Sequence, residues 1–231
     1  MATQIKVFTS NSMRTVLTEC IPEFERESGY AVSVSFDPAQ VTLKRIEAGE
    51  TADLAILGAA AIDQLAEQGK IIGATRCPLV RSDAAIGARA GAVKPDVSTA
   101  EAFKRTLINA RSIAYASEGA SGIHFVCVIE QLGIADQIKA KTITRPGGLL
   151  AELLVSGEAE LAIQHVPELM AVKGIEVAGT FPPGLEFFNV LAAGLFADAR
   201  EPTAAAVLLD YLKTRAMAKR YVAVGLRPVF S

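Results

Sequence analysis

The apolar positions of this 231-residue chain switch repeatedly between a two-residue and a helical period, with small polar residues at each switch. The first switch is the sharpest. Ile5-Lys6-Val7-Phe8 reads as a short strand, Thr9-Ser10-Asn11-Ser12 interrupts it, and Met13, Val16, Leu17, Cys20 and Ile21 then recur at helical spacing up to Ser28-Gly29. A second strand is predicted over residues 30–36, stopped by Asp37-Pro38, and a helix over 39–48, closed by Gly49. A third strand, 52–57, runs through Gly58 into a helix at 60–67. This βαβαβ order predicts a doubly wound α/β unit, in which ligands sit at the carboxyl edge of the strands.

The second half repeats the layout. Residues 83–89 form a strand and 99–109 a helix; Ser112-Ile113-Ala114-Tyr115-Ala116 is then strand, residues 117–122 a turn, and a helix starts at Ile123. A helix at 148–156, a strand at 160–164 and an apolar stretch at 175–179 follow, before Pro182-Pro183-Gly184. The apolar run 187–195 is long enough to return to the first sheet, and helices at 202–213 and 214–224 end the chain. Neither 81–90 nor 186–195 has the composition of a flexible linker. The expected architecture is therefore two doubly wound α/β lobes joined by two crossing strands. Lobe 1 is 1–84 with 190–231, lobe 2 is 85–189, and a ligand cleft lies between them.

Composition narrows what such a fold serves. With 51% apolar and 21% charged residues the chain can bury a substantial core, and a net charge of −2 with scattered Lys and Arg argues against a nucleic-acid partner. Cys20, Cys77 and Cys127 are far apart and odd in number, so a disulfide framework is not indicated; Cys20 and Cys127 read as small buried hydrophobes. No metal-ligand spacing or cofactor motif is present, and nothing marks the oligomeric state. No segment has the length of a membrane span, and Met1-Ala2-Thr3-Gln4 runs straight into the first strand. The expected location is cytoplasmic for the chain as given, or periplasmic if it is a processed form.

The two strand-turn-helix junctions are where chemistry is expected. The first N–H groups of a helix have no backbone partner and carry the positive end of its dipole, so an anion finds donors there. Hydroxyls at Thr9, Ser10 and Ser12 add neutral donors, although Ser10 or Asn11 also suits an ordinary N-cap. In the second turn Ser121 and Gly122 allow close approach, whereas Glu118 repels an anion unless it points away or is protonated.

Several segments together resemble one family. Val7-Phe8-Thr9-Ser10-Asn11-Ser12-Met13, Ile46-Glu47-Ala48-Gly49 before Ala52-Asp53-Leu54, Gly119-Ala120-Ser121-Gly122-Ile123, and Gly157-Glu158-Ala159-Glu160-Leu161-Ala162 are similar to the molybdate-binding-protein branch of the type II periplasmic solute-binding proteins. The resemblance implies two lobes that close on an oxyanion, with Ser12 as a binding serine, Ser10 and Asn11 lining its turn, and backbone donors at Ser121 and Gly122. Where that branch has a second binding serine this chain has Asp37-Pro38-Ala39-Gln40, and Phe187-Phe188 stand near the position of its tyrosine. Leu79-Val80-Arg81-Ser82, and the Gly-Glu-Ala-Glu-Leu stretch running into Gln164, resemble more closely an aconitate isomerase-like subgroup of the branch. Arg81 then suits a carboxylate, which its planar fork can hold by two parallel hydrogen bonds.

Two functions remain open. One is capture of a small anion, a di- or tricarboxylate or else an oxyanion such as molybdate, with a membrane transporter as partner only if the chain is exported. The other is an aconitate isomerase-like allylic proton shift on an unsaturated tricarboxylate, which also needs a group to remove and return a proton. Glu118, His124 and His165 are the candidates for that, with Glu168 nearby; each histidine also reads as an ordinary packed side chain. Hydrolase and kinase motifs are absent from the sequence.

Overall fold

Parallel pairing of three short strands sets the geometry of the amino-terminal part of the computed structural model, which describes residues 3–230. The expectations at Met1-Ala2 lie outside the described residues. Strand β1 (Gln4–Thr9) leads into a single 3-10 turn, Asn11–Met13, and helix α1 (Arg14–Ser28). Then come β2 (Ala31–Phe36), α2 (Ala39–Glu47), β3 (Leu54–Gly58) and α3 (Ala59–Glu67). Strand β1 lies parallel to β2, from Gln4↔Ala31 to Thr9↔Phe36, and to β3, from Val7↔Leu54 to Thr9↔Ile56. All three carboxyl ends therefore share one edge. Alternation along the strands separates two apolar layers: Ile5, Val7, Leu54 and Ile56 pack with Val16, Leu17 and Phe24, whereas Phe8, Ala55 and Leu57 pack with Ile46, Ile62 and Leu65.

Strand β4 (Cys77–Arg89) is longer than the 83–89 expected from sequence. The strand begins before the polar pair Arg81-Ser82, with Leu79 and Val80 fully buried in it. Beyond it come α4 (Ala100–Asn109), β5 (Ile113–Ala116), α5 (Ala120–Gln131), α6 (Ala135–Lys139) and β6 (Thr142–Arg145). They are followed by α7 (Glu152–Ser156), β7 (Leu161–His165), α8 (Val166–Met170) and β8 (Ile175–Thr180). Strand β5 is parallel to β6 and β7, and β4 is antiparallel to β7 and β8. The chain ends with β9 (Phe188–Leu195), antiparallel to β3, then α9 (Pro202–Leu212), α10 (Arg215–Ala223) and β10 (Arg227–Pro228), which pairs with β4 at Arg81 and Val80.

Residues up to Ser82 together with those from Asn189 form one compact unit, and Asp83–Phe188 form the second, so β4 and β9 carry the chain across. Two elements depart from expectation near the site. The helix expected at 148–156 is only α7, because Gly148 adopts a left-handed φ of 93° that no helix residue holds. Helix α5 starts at Ala120, not Ile123, so Ser121 and Gly122 belong to its first turn. Among the described residues no helix is long and apolar enough to cross a membrane.

Candidate functional site

In the first unit the carboxyl end of β1 delivers Thr9, Ser10, Asn11 and Ser12 to the start of the 3-10 turn. Their side chains meet different fates. Thr9 Oγ1 donates to the Ile56 carbonyl at 3.0 Å, so the hydroxyl expected to serve as a donor is committed to β3. Ser10 stands at the N-cap position in extended conformation but makes no side-chain cap bond, and its Oγ is buried without a hydrogen-bond partner among the described residues. An ordinary cap does not account for it. Ser12 is 5% exposed.

Asn11 is organised by Arg14, a residue that no motif in the sequence marks. Arg14 Nη2 donates to Asn11 Oδ1 at 2.8 Å, and the guanidinium lies 4.5 Å over the Phe36 ring. Since a guanidinium can only donate, it fixes the amide oxygen inward and leaves the Asn11 nitrogen as the remaining donor group. The i, i+3 spacing on a helix start was the signal available. At the next strand end, Asp37 accepts from Ser35 Oγ at 3.0 Å and pairs with Arg45, so its charge is compensated within the unit. Arg81 is half-buried on β4 opposite Arg227, and the adjoining Ser82 is 1% exposed with its Oγ buried and unpartnered.

The second unit builds its edge differently. Strand β5 ends at Ala116, and three residues later Gly119, which has no side chain to offer, is the N-cap of α5. A Cβ on Gly122 would stand 1.9 Å from the Ala116 carbonyl oxygen, so only glycine lets this helix start pack so closely on the strand end. Ser121 beside it is 2% exposed. Glu118 is half-buried in the turn, and its backbone N–H donates to the Pro146 carbonyl at 3.2 Å.

The two histidines come together around one ring. His124 Nε2 donates to the Leu185 carbonyl at 3.1 Å, and its ring stacks on Phe187 with centroids 4.6 Å apart. His165, 4% exposed at the end of β7, sits 5.9 Å from the same Phe187 ring, and among the described residues neither of its nitrogens has a hydrogen-bond partner. Gln164, expected to face a ligand, is engaged on both sides: its Oε1 accepts from Ala151 N at 3.1 Å, and its Nε2 donates to Gly148 O at 2.9 Å and to Glu168 Oε2. Glu168 also accepts from the His165 backbone N–H at 3.2 Å, which fixes the start of α8.

Buried polar atoms are ordinarily satisfied, and an unsatisfied one costs about 1–3 kcal/mol, so each exception needs a reason. Among the described residues the exceptions are Ser10, Ser82 and His165. Arg45 grips both oxygens of Glu50 and Lys6 reaches one of them, which together pull the Glu50 carboxyl down to about 2. Burial pushes the Cys20 thiol up to about 11, whereas Cys127, expected to be buried, is exposed on α5. No group of three His, Cys, Asp or Glu side chains suited to a metal occurs among the described residues.

The sequence profile described as bacterial extracellular solute-binding protein matches residues 5–227. A protein named aconitate isomerase from Pseudomonas sp. is 30% identical over 233 aligned positions, covering 98% of this chain and 88% of that one. The molybdate-binding protein ModA of Escherichia coli K12 is 28% identical, over 78% of this chain and 72% of its own length. Among solved structures, the periplasmic molybdate-binding protein of Azotobacter vinelandii superposes with a TM-score of 0.79 at 19% identity, covering 96% of this chain and 98% of that one.

Proposed function

This chain belongs to the bacterial extracellular solute-binding protein family, in its molybdate-binding-like type II branch, and from that premise we propose that it captures a small anion, with a di- or tricarboxylate suited best. The carrying observation is that, among the described residues, Ser10, Ser82 and His165 bear buried side-chain polar atoms without a hydrogen-bond partner, Ser10 at a helix start that lacks a side-chain cap. Neutral donors at the positive end of a helix dipole attract a small anion without a competing charge. In this reading Ser10, Asn11, Ser12 and Arg81 bind from the first unit, and Ser121 and Gly122 supply backbone donors from the second. Gln164 acts behind them, as a brace for the 148–151 loop.

Two features favour a carboxylate over an oxyanion such as molybdate. Arg81 brings a planar fork that matches a carboxylate, and Asp37, standing where the branch has its second binding serine, is compensated by Arg45 and contributes no donor. The isomerase reading is favoured by one observation, the 30% identity to a protein named aconitate isomerase over 98% of this chain. It requires a proton to be taken from one carbon and returned to another. His165 has ring nitrogens to offer, while His124 holds its Nε2 on Leu185 and Glu118 is the remaining candidate. Export to the periplasm and a membrane transporter as partner follow from the receptor reading alone.

A thermal-shift panel of citrate, tricarballylate, cis- and trans-aconitate, molybdate and sulfate tests the proposal, since a ligand at 100 times its Kd adds about 2.7 kcal/mol. Carboxylates are expected to raise the melting temperature, and Arg81→Ala to weaken them more than molybdate. A flat response to every anion overturns the proposal. Incubation with either aconitate isomer, followed by NMR of the alkene protons, separates capture from turnover.

A further inference from the structure

The histidine at the end of β7 is the one described residue of the second unit whose buried side-chain nitrogens lack a partner. Its placement follows from strand alternation: Leu161 and Ile163 point into the core shared with Phe103, Phe125 and Ile129, while Ala162 faces the opposite layer and Gln164 turns to the 148–151 loop. His165 therefore emerges on the face of Leu161 and Ile163, at the carboxyl edge. Phe187 bridges it to α5, where His124 stacks on the same ring. His124 has its donor fixed by the Leu185 carbonyl, so it serves to hold Phe187 in place. Among the described residues none holds either nitrogen of His165 by a hydrogen bond in the same way.

Building on the capture of a carboxylate proposed above, we infer that His165 is a specificity-determining contact for a hydroxyl on the ligand, so that the ligand is a hydroxy-carboxylate. A neutral imidazole carries one N–H and one bare nitrogen, hence one donor and one acceptor on the same ring. A fully ionised oxyanion, or a plain carboxylate, offers acceptors only; it satisfies the N–H and leaves the bare nitrogen buried and unpaired. A carboxylate with an adjacent hydroxyl offers an acceptor and a donor, and satisfies both. A site built around a ligand hydroxyl discriminates strongly against the analogue that lacks it, because its own polar groups are then left unpaired.

The experiment is calorimetric titration with two matched pairs, citrate against tricarballylate and malate against succinate, alongside molybdate. Wild type is expected to favour the hydroxy acid of the better-binding pair by about tenfold or more. His165→Phe is expected to abolish that ratio while leaving the affinity for the plain acid within a few-fold, and His165→Gln, which keeps a donor and an acceptor, to retain part of it. Melting curves of each variant separate a lost contact from a lost fold. A wild-type ratio near one, an unchanged ratio in His165→Phe, or an equal loss for both members of a pair overturns the inference while anion capture stands. Absence of binding by every anion overturns the capture proposal, and this inference with it.

Discussion

Replacing Ser10 by alanine should stabilise the free protein and weaken its hold on an anion, two effects of opposite sign from one oxygen atom. Ser10 Oγ is buried, makes no cap bond and has no partner among the described residues, so the folded state bears its desolvation without return. Removing it relieves about 1–3 kcal/mol. For a chain of this length that corresponds to a rise of roughly 2–12 °C in apparent melting temperature. A hydrogen bond to a charged partner is worth about 1.5–3 kcal/mol, so the same change should raise Kd by roughly 10- to 150-fold. Thr9→Val is the internal control: Thr9 Oγ1 donates to Ile56 O at 3.0 Å, and its loss should lower the melting temperature. Differential scanning fluorimetry without ligand and calorimetric titration with the best carboxylate read the two quantities separately. If Ser10→Ala melts below wild type, as Thr9→Val should, the hydroxyl belongs to the fold and the reasoning fails.

Gly122→Ala places a methyl 1.9 Å from the Ala116 oxygen, and the forced displacement of α5 should cost about 1–3 kcal/mol in urea unfolding while weakening anion binding; a fully stable, fully binding variant would refute the close-packing account. Asp53→Ala removes the carboxylate that accepts from Lys6 N at 2.7 Å and Glu201 N at 2.9 Å, tying β1 to the start of α9, and should cost roughly 2–4 kcal/mol in the same assay. Glu50 should titrate near 2 by carbon NMR and move back towards its ordinary 4.5 in Arg45→Ala. Because its folded value is depressed, its contribution to stability is present above 4.5 and lost as the pH falls towards 2. A midpoint unmoved by Arg45→Ala would exclude the Arg45 contact as the cause.

The strand-turn-helix at residues 5–28 was legible because every signal in it is local: a short apolar run, small polar residues, then a helical stripe. What the sequence does not carry is non-local. Thr9 and Ser10 look alike in sequence, and what separates them is a carbonyl on β3, 47 residues away. Gln164 was legible as a polar residue at a strand end, but not that the 148–151 loop folds back to take its amide. Composition alone puts the start of α5 three residues late, because Gly119 to Gly122 looks like a turn; those small residues are there so that the helix can touch Ala116. Strands β6 and β10 and helices α6 and α8 are too short to carry a period, and neighbouring elements hold them in place.

The two junctions share a backbone layout and differ in chemistry, and the difference bears on what each can recognise. Hydroxyl and amide groups gather at the first turn, with Arg14 fixing the Asn11 oxygen inward, so that turn presents donors almost without regard to which anion arrives. At the second turn a glycine brings the backbone close, and the neighbouring side chain with unused polar atoms is an imidazole, whose donor and acceptor demand a match. General attraction should therefore reside in the first unit and discrimination in the second. On that view Ser10→Ala and Ser12→Ala weaken all bound anions by similar factors, whereas changes at His165 alter the order of preference. A panel in which Ser10→Ala reorders the anions and His165→Phe scales them equally would reverse the assignment of the two edges.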